Sequence, residues 1–571
     1  MYLQTVKSKN AVSYYAAKTV YENGKKTSKI VEKLGTHAEL SLLYDDPSQY
    51  LKQRIVELTE QEKAQTREVL VRFAQSECIA SNEQKSFNCG YLFLQALYHE
   101  LKIDQICRKI SAKYEFEYDL DAILSRLVYG RILFPGSKMN TMKESFRLLE
   151  QPAFELHQIY RALEVLAKET DLIQAELYKN SLDVAGRNTN ILYYDCTNFF
   201  FEIEEEDGLR QYGVSKEHRP NPIVELGLFM DGNGVPLAFC VHPGNTSEQT
   251  TLKPLEKKIL KDFGSSQFIV CTDAGLASAA NRKFNSIMGR SFITVQSIKK
   301  MKAFQQEWAL SSKGWRLSGE ERIYDLEDVL KERDAYRDRV FYKESWFCEN
   351  GLEQRFITTF SIKYMEYLQH IRERQIQRAQ KIIDTGAVAK NRSNDPRRFV
   401  GQYFFTDDGQ IAEHQVFSLD QDKINDESVY DGFYCVATNL EDPVDNILKV
   451  NQRRWEIEES FRILKSEFRA RPVYLSRDDR ILAHFTTCFL ALVLFRILEA
   501  RLDHAFSASQ ITHSLRSMNL YKIDGEGYIP TYTRDALTDA LHGAFGFRTD
   551  YHINSLSSMN KIFKSTKKLS H

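Results

Sequence analysis

The sequence predicts a mixed α/β chain of several domains, on three observations. At roughly 100–200 residues per domain, 571 residues are more than one core usually serves. A 43% share of hydrophobic and 27% of charged residues is that of globular chains, which sets aside disordered and disulfide-scaffold classes. Hydrophobic periodicity also switches between two and about 3.6 residues from one stretch to the next, so strand-rich and helical segments alternate.

Those switches set the expected boundaries. Residues 1–46 read as a small β-hairpin unit, with SYYAAKTVYE and KKTSKIVEKLG joined at Asn23-Gly24, a pair that tolerates positive φ in a tight turn. Residues 47–186 carry apolar positions three and four apart, which predicts a helical domain. From 187 to 296 short β-rich runs return: NILYYDCTNFFFE, a hairpin turning at Asp231-Gly232-Asn233-Gly234, and the apolar strand FIVC ending on Asp273. A helix ending at Gly264 precedes that strand. Residues 297–430 read as a β-rich insertion with one basic helix, 431–504 as a return to the earlier core through DGFYCVATNL and a long helix, and 505–571 as a helical C-terminal region that serves dimer contacts or caps the core.

Seventy-seven Lys and Arg against 78 Asp and Glu leave a formal charge of −1, so any nucleic-acid surface must be local. Nine cysteines with no CxxC or zinc spacing point to a reducing cytoplasm. The N-terminus lacks the plan of a signal peptide. The apolar run Phe485–Phe495, short of the roughly 20 residues a bilayer needs, reads as a buried helix carrying a satisfied His484, so no membrane association is expected.

Three carboxylates interrupt segments otherwise built for burial: Asp195 in ILYYDCT, Asp273 after FIVC, and Glu458 in RRWEIEESF. Buried ionised carboxylates are costly unless paired or metal-bound, although a lone Asp in an apolar strand also suits a strand edge or a cap. Adjacent parallel strands would bring Asp195 and Asp273 to about 5 Å, and a helix on that sheet could add Glu458. Hard oxygen donors suit Mg²⁺, with Mn²⁺ as substitute, and two such ions about 3.5–4 Å apart serve in-line displacement at phosphorus. On a helix, Arg454 and Lys465, four residues before and seven after Glu458, share its stripe and could hold phosphates.

At these residues the sequence resembles the DDE transposases of bacterial insertion sequences, in the insertion-sequence-four superfamily. That family's signature is Tyr, two residues, Arg, three residues, Glu, six residues, Lys; Arg454, Glu458 and Lys465 match its spacing, and Asn451 stands where the tyrosine is expected. Asp195-Cys196-Thr197, the phrase GVPLAFCVHPGNTSE and TDAGLASAAN match its other motifs, over about residues 185 to 300 and 430 to 500.

The resemblance implies a ribonuclease-H-like core split by a β-rich insertion, with Asp195, Asp273 and Glu458 as catalytic, metal-binding carboxylates. It implies recognition of terminal inverted repeats by the β unit and by residues 47–186 as a DNA-binding domain, cleavage at those repeats through a hairpin intermediate, strand transfer into target DNA, and a homodimer in the synaptic complex. It also implies an insertion-domain aromatic stacking on a flipped base, with Trp308, Trp315 and Trp346 as candidates.

Arg282, Lys283, Arg290, Lys299, Lys300 and Lys302 follow Asp273 with no intervening Asp or Glu, a local basic stretch for double-stranded DNA. Arg372, Arg374, Arg378 and Lys381, with Arg397 and Arg398, form a second. Both also suit a solvated face. A metal-dependent nuclease without strand transfer, and a DNA-binding protein with idle chemistry, remain the alternative readings.

Overall fold

The computed structural model describes every residue except 1, 9–10, 23–24, 45, 65–70, 72–75, 77, 264–266, 386–394, 406–413 and 569–571. The expected Asn23-Gly24 turn and Gly264 helix stop lie outside the described residues. The chain forms two units, Met1–Glu83 and Gln84–His571.

In the first unit, β1 (Tyr2–Lys7), β2 (Val12–Glu22) and β3 (Lys25–Thr36) form an antiparallel sheet in chain order. Helix α1 (His37–Leu43) starts on a capping box: the Thr36 hydroxyl accepts from the Glu39 amide at 3.3 Å and the Glu39 carboxylate accepts from the Thr36 amide at 2.8 Å. With α2 (Pro47–Ala64) it closes Leu40, Leu51 and Leu58 over Ala16 and Leu34.

The second unit opens with β4 (Ser86–Asn88) and the helices α3 (Tyr91–Glu100), α4 (Ile103–Ser111), α5 (Leu120–Leu133), α6 (Lys138–Ser145), α7 (Leu156–Lys168) and α8 (Thr170–Ala185). The helices expected between 47 and 186 are therefore divided, α2 in the first unit and α3–α8 in the second.

The strands that follow build one ten-stranded sheet. They are β5 (Ile191–Phe200), β6 (Ile223–Asp231), β7 (Pro236–Pro243), β8 (Ile269–Thr272), β9 (Ser291–Val295), β10 (Trp315–Leu317), β11 (Ile323–Tyr324), β12 (Phe341–Glu349) and β13 (Leu352–Phe360), joined after the separate hairpin β14 (Val400–Phe405) and β15 (His414–Leu419) by β16 (Phe433–Thr438). Their spatial order is β11-β10-β12-β13-β16-β9-β8-β5-β6-β7. The β5-β6-β7 meander is antiparallel, while β8 and β9 run parallel to β5. The crossover from β7 to β8 is α9 (Glu248–Asp262), the connection a parallel pair requires. The strands of 297–360 do not stand apart: β13 pairs with β16, and β16 with β9.

Further along come α10 (Ala279–Phe284), α11 (Ala303–Leu310), α12 (Leu326–Lys331), α13 (Arg333–Tyr336), α14 (Ile362–Thr385), α15 (Gln421–Ser428), α16 (Val444–Gln452), α17 (Trp455–Arg462) and α18 (Asp478–Arg501). The single helix expected through NILKVNQRRWEIEESF is broken at Arg453-Arg454, so that α16 and α17 are separate, and α17 runs into a π-helical turn, Ile463–Glu467.

Helix α18 is the pillar of the core. It is long and apolar enough to cross a membrane by length and composition, yet 94% of its most apolar stretch is buried within the protein. Phe485 meets Phe199 of β5 and Phe489 meets Phe239 of β7, both at 5.0 Å between ring centres, and Phe495 meets Phe468 at 5.5 Å. Each such buried side chain contributes roughly 1.5–3 kcal/mol by leaving water. The buried Arg496 then ties three elements together: it donates to the Gly234 carbonyl at 3.0 Å, pairs with Glu499 at 2.9 Å, and reaches Glu456 of α17 at 3.4 Å. Gly234 has φ +79°, and a Cβ there would stand 2.0 Å from the Glu456 carboxylate. Gly234→Ala is expected to lose about 1–3 kcal/mol of stability through strain at positive φ and displacement of Glu456, read as a lowered midpoint in urea.

Candidate active site

Asp195 and Asp273 meet because β5 and β8 are parallel neighbours in register. Tyr194 pairs with Thr272; Asp195 is the next residue of β5, and Asp273 is the first residue beyond the end of β8. The Asp195 carboxylate accepts from the Cys196 amide at 2.8 Å, and that of Asp273 from the Leu276 amide at 3.1 Å. The turn after Asp273 runs close to it: a Cβ on Gly275 would lie 3.2 Å from the Asp273 carboxylate and 3.6 Å from that of Glu248. Burial is the main cause that raises the Asp195 pKa to about 7, and neighbouring Asp273 adds to it, while Lys216 and Arg454 oppose.

Helix α17 packs on β5. Arg454, at its N-cap, pairs with Glu458 at 3.2 Å and also acts on Asp195, so one guanidinium links Glu458 to Asp195; the Glu458 side chain is 57% exposed. The π-helical turn carries Lys465 to 3.7 Å from Glu217 and within the field of Asp195. Burial first, then the like charge of Lys216, lowers the Lys465 pKa to about 8.

Several residues here carried no role in the sequence reading. Lys216 donates to the Cys196 carbonyl and pairs with Glu248 at 2.7 Å. Burial alone would depress its pKa, but Asp195 and Glu248 raise it. Glu225, on β6, has its pKa raised to about 8, by burial first and then by neighbouring Glu248. Glu225 had a legible signal, a carboxylate inside the apolar run IVELGLF, and Glu248 ends the phrase GNTSE; Lys216 sits in a polar loop with no pattern to single it out. Asn451 is buried, and its amide donates to the Tyr434 hydroxyl at 2.9 Å. A phenol from β16 thus lies beside the position where a tyrosine was expected, close enough for Arg454 to act on it.

The other predicted residues divide. Lys283, Lys299 and Lys300 are exposed. Arg282 is corrected: it is buried, and its guanidinium is spent on Gln354 at 2.9 Å and on Gln296, so it presents no charge to a ligand. Arg290 likewise turns inward toward Glu256 at 3.8 Å. In the second basic stretch Arg372 pairs with Asp431 and Arg398 with Glu427, leaving Arg374, Arg378 and Lys381 exposed. Trp315 is corrected as a stacking candidate: it is fully buried against Phe360 and Phe433, with its indole N–H on the Ser311 carbonyl at 2.9 Å. Trp308 packs on Phe347, and Trp346 is 43% exposed. Trp455, not singled out from sequence, is exposed next to Arg454.

The donor set fits divalent cations. Asp195, whose proton affinity burial and the neighbouring Asp273 raise, Asp273 itself, and Glu458, which shares Arg454 with Asp195, offer the hard oxygen donors that a divalent cation prefers. A family model described as a transposase DDE domain matches residues 201–494. No curated protein matches. A solved structure described as a piggyBac transposase synaptic complex with hairpin DNA is 9% identical, covering 85% of each chain with a TM-score of 0.36, a likeness too slight to bear on the fold.

The raised Asp195 pKa has a stability consequence. Between its ordinary value of 3.8 and about 7 the folded chain holds a proton that the unfolded chain has released, so stability falls as pH rises through that window. In chelator at pH 8, Asp195→Asn is expected to be more stable than the parent by about 1–3 kcal/mol, with the gap closing toward pH 4, as measured by thermal unfolding.

Proposed function

We propose, since the chain belongs to the transposase DDE domain family, that it cuts DNA at the ends of a bacterial insertion sequence and joins those ends to target DNA. The observation that carries the reading is the register of β5 and β8, which supports placing Asp195 beside Asp273, with α17, the helix that bears Glu458, packed on the same strand. The strand order β7-β6-β5-β8-β9, three antiparallel then two parallel, supports a ribonuclease-H-like core with these three carboxylates at its centre.

Asp195, Asp273 and Glu458 would hold two Mg²⁺ ions, for which Mn²⁺ can substitute. When bound, the ions supply activation of the attacking oxygen and stabilisation of the leaving oxygen at phosphorus. The chain's own cations do the rest. Arg454, Lys216 and Lys465 surround the carboxylates and hold the scissile phosphate in line, where a water or a 3′-hydroxyl attacks and the opposite 3′-oxygen departs. Lys283, Lys299 and Lys300 extend phosphate contact outward along double-stranded DNA.

Successive use of this one centre fits a nick at the terminal repeat, attack of the freed 3′-hydroxyl on the opposite strand to give a hairpin, hairpin opening by water, and attack on the target by two copies of the chain in a synaptic homodimer. Trp346, and the less open Trp308, are the candidates for stacking on a displaced base.

Incubation with DNA from the element's own flanks and Mg²⁺ tests the proposal. Hairpin ends and joined products are expected from the parent protein. Asp195→Ala, Asp273→Ala and Glu458→Gln should each lose cutting by more than about a hundredfold while retaining DNA binding. Free breaks without joining would support a nuclease instead, and a gel shift without cutting would support an idle binder.

A further inference from the structure

Away from the carboxylates lies a second concentration of charge, of one sign only. A cavity of about 340 Å³ is lined by Arg131, Lys138, Arg469, Arg471 and His484, with Tyr160 and Tyr474 among its other walls and, among the described residues, no carboxylate. Lys138 is only 4% exposed, and its ammonium has no hydrogen-bond partner. Arg131 is equally buried; it uses its outer nitrogens on the carbonyls of Phe468 at 3.1 Å and Gly136 at 3.2 Å, leaving Nε without a partner.

Among the described residues only Arg471 of these cations has a carboxylate partner, Glu217, while Arg131, Lys138 and Arg469 have none. Burial, then Arg131, holds the Lys138 pKa down to about 7, and burial with Arg131 and Lys138 pushes that of His484 well below its ordinary value. Lys138 is also the first residue of α6, where the partial positive charge of the helix end adds to its own. An ammonium buried without a counterion costs several kcal/mol. Arg131, Lys138, Arg469 and Arg471 converging on one cavity beside the His484 imidazole form a site that a multiply charged oxyanion would complete.

We propose that this cavity is a phosphate-binding site, and that it receives a backbone phosphate of bound DNA. The choice of DNA as the source follows from contacts that lead to the carboxylate centre. Arg471, on the cavity wall, shares Glu217 with Lys465, which in turn acts with Asp195. Tyr474, 70% exposed, adds an aromatic surface next to a strand so placed. Only the source of the phosphate rests on the DNA-transposing reading; the site itself does not.

The test uses the full chain. Thermal unfolding is recorded with inorganic phosphate and with sodium chloride at equal ionic strength. Phosphate is expected to raise the midpoint of the parent and of Asp195→Ala alike, to leave Lys138→Met unmoved, and to act more weakly on Arg469→Gln, whose exposed side chain can be changed without disturbing the core. Lys138→Met should itself melt no lower than the parent, since it removes an unpaired buried charge. In the second arm, affinity for a labelled duplex is followed against salt, and the slope for Lys138→Met should be shallower by about one counterion. Equal phosphate responses in the parent, Lys138→Met and Arg469→Gln would overturn the site. A response lost in Lys138→Met with unchanged salt slopes would overturn DNA as the source and assign free phosphate. Because the phosphate arm needs no cleavage, a protein that never cuts DNA leaves it intact, so the two readings fail separately.

Discussion

Two carboxylates brought together by adjoining strands are the constraint around which this structure is arranged. Parallel pairing of β5 with β8 in register brings Asp195 and Asp273 together, and burial with the nearby Asp273 makes Asp195 harder to ionise. A chain selected only for stability would place a neutral residue at one of the two positions. Instead it surrounds the pair with cations of its own: Lys216 on one side, shared with Glu248, Arg454 on the other, shared with Glu458, and Lys465 behind. The cluster is thereby neutralised without any one carboxylate being locked into a buried ion pair, which leaves the oxygens available to a stronger cation.

Holding α17 against the sheet is the complementary requirement, since Glu458 comes from the far end of the sequence. The apolar length of α18 fixes that helix by burial on all sides, and its one internal arginine converts the burial into precision. Arg496 reads the turn at Gly234 and the side chain of Glu456 at once, so hairpin, core helix and site helix share one polar anchor. The break before α17 and the π-helical turn after it aim Arg454 and Lys465 at the carboxylates from two directions, an arrangement a continuous helix would not supply.

The basic residues illustrate how little a count of charges says about a surface. Within one stretch Arg282 and Arg290 are structural, tied to Gln354, Gln296 and Glu256, whereas Lys283, Lys299 and Lys300 face solvent. Another gathering of positive side chains sits elsewhere, around Lys138, contributed by segments more than 300 positions apart in the sequence. A near-zero total conceals both.

Local sequence determined the strands that bear Asp195 and Asp273, the turn at Gly234, the apolar helix around Phe485–Phe495 and the one-stripe spacing of Arg454 and Glu458, because periodicity, turn chemistry and a carboxylate in an apolar run are properties of neighbouring residues. What only the tertiary structure decided are the relations among distant segments. It set the β5–β8 register, extended the sheet through β13 and β16, moved Tyr434 beside Asn451, buried Trp315 and Arg282, and gathered Lys216, Glu225 and Glu248 around the aspartates. The reason is that a side chain's burial and its electrostatic partners are set by packing across the core, and no pattern along the chain encodes which remote charge will end up next to it.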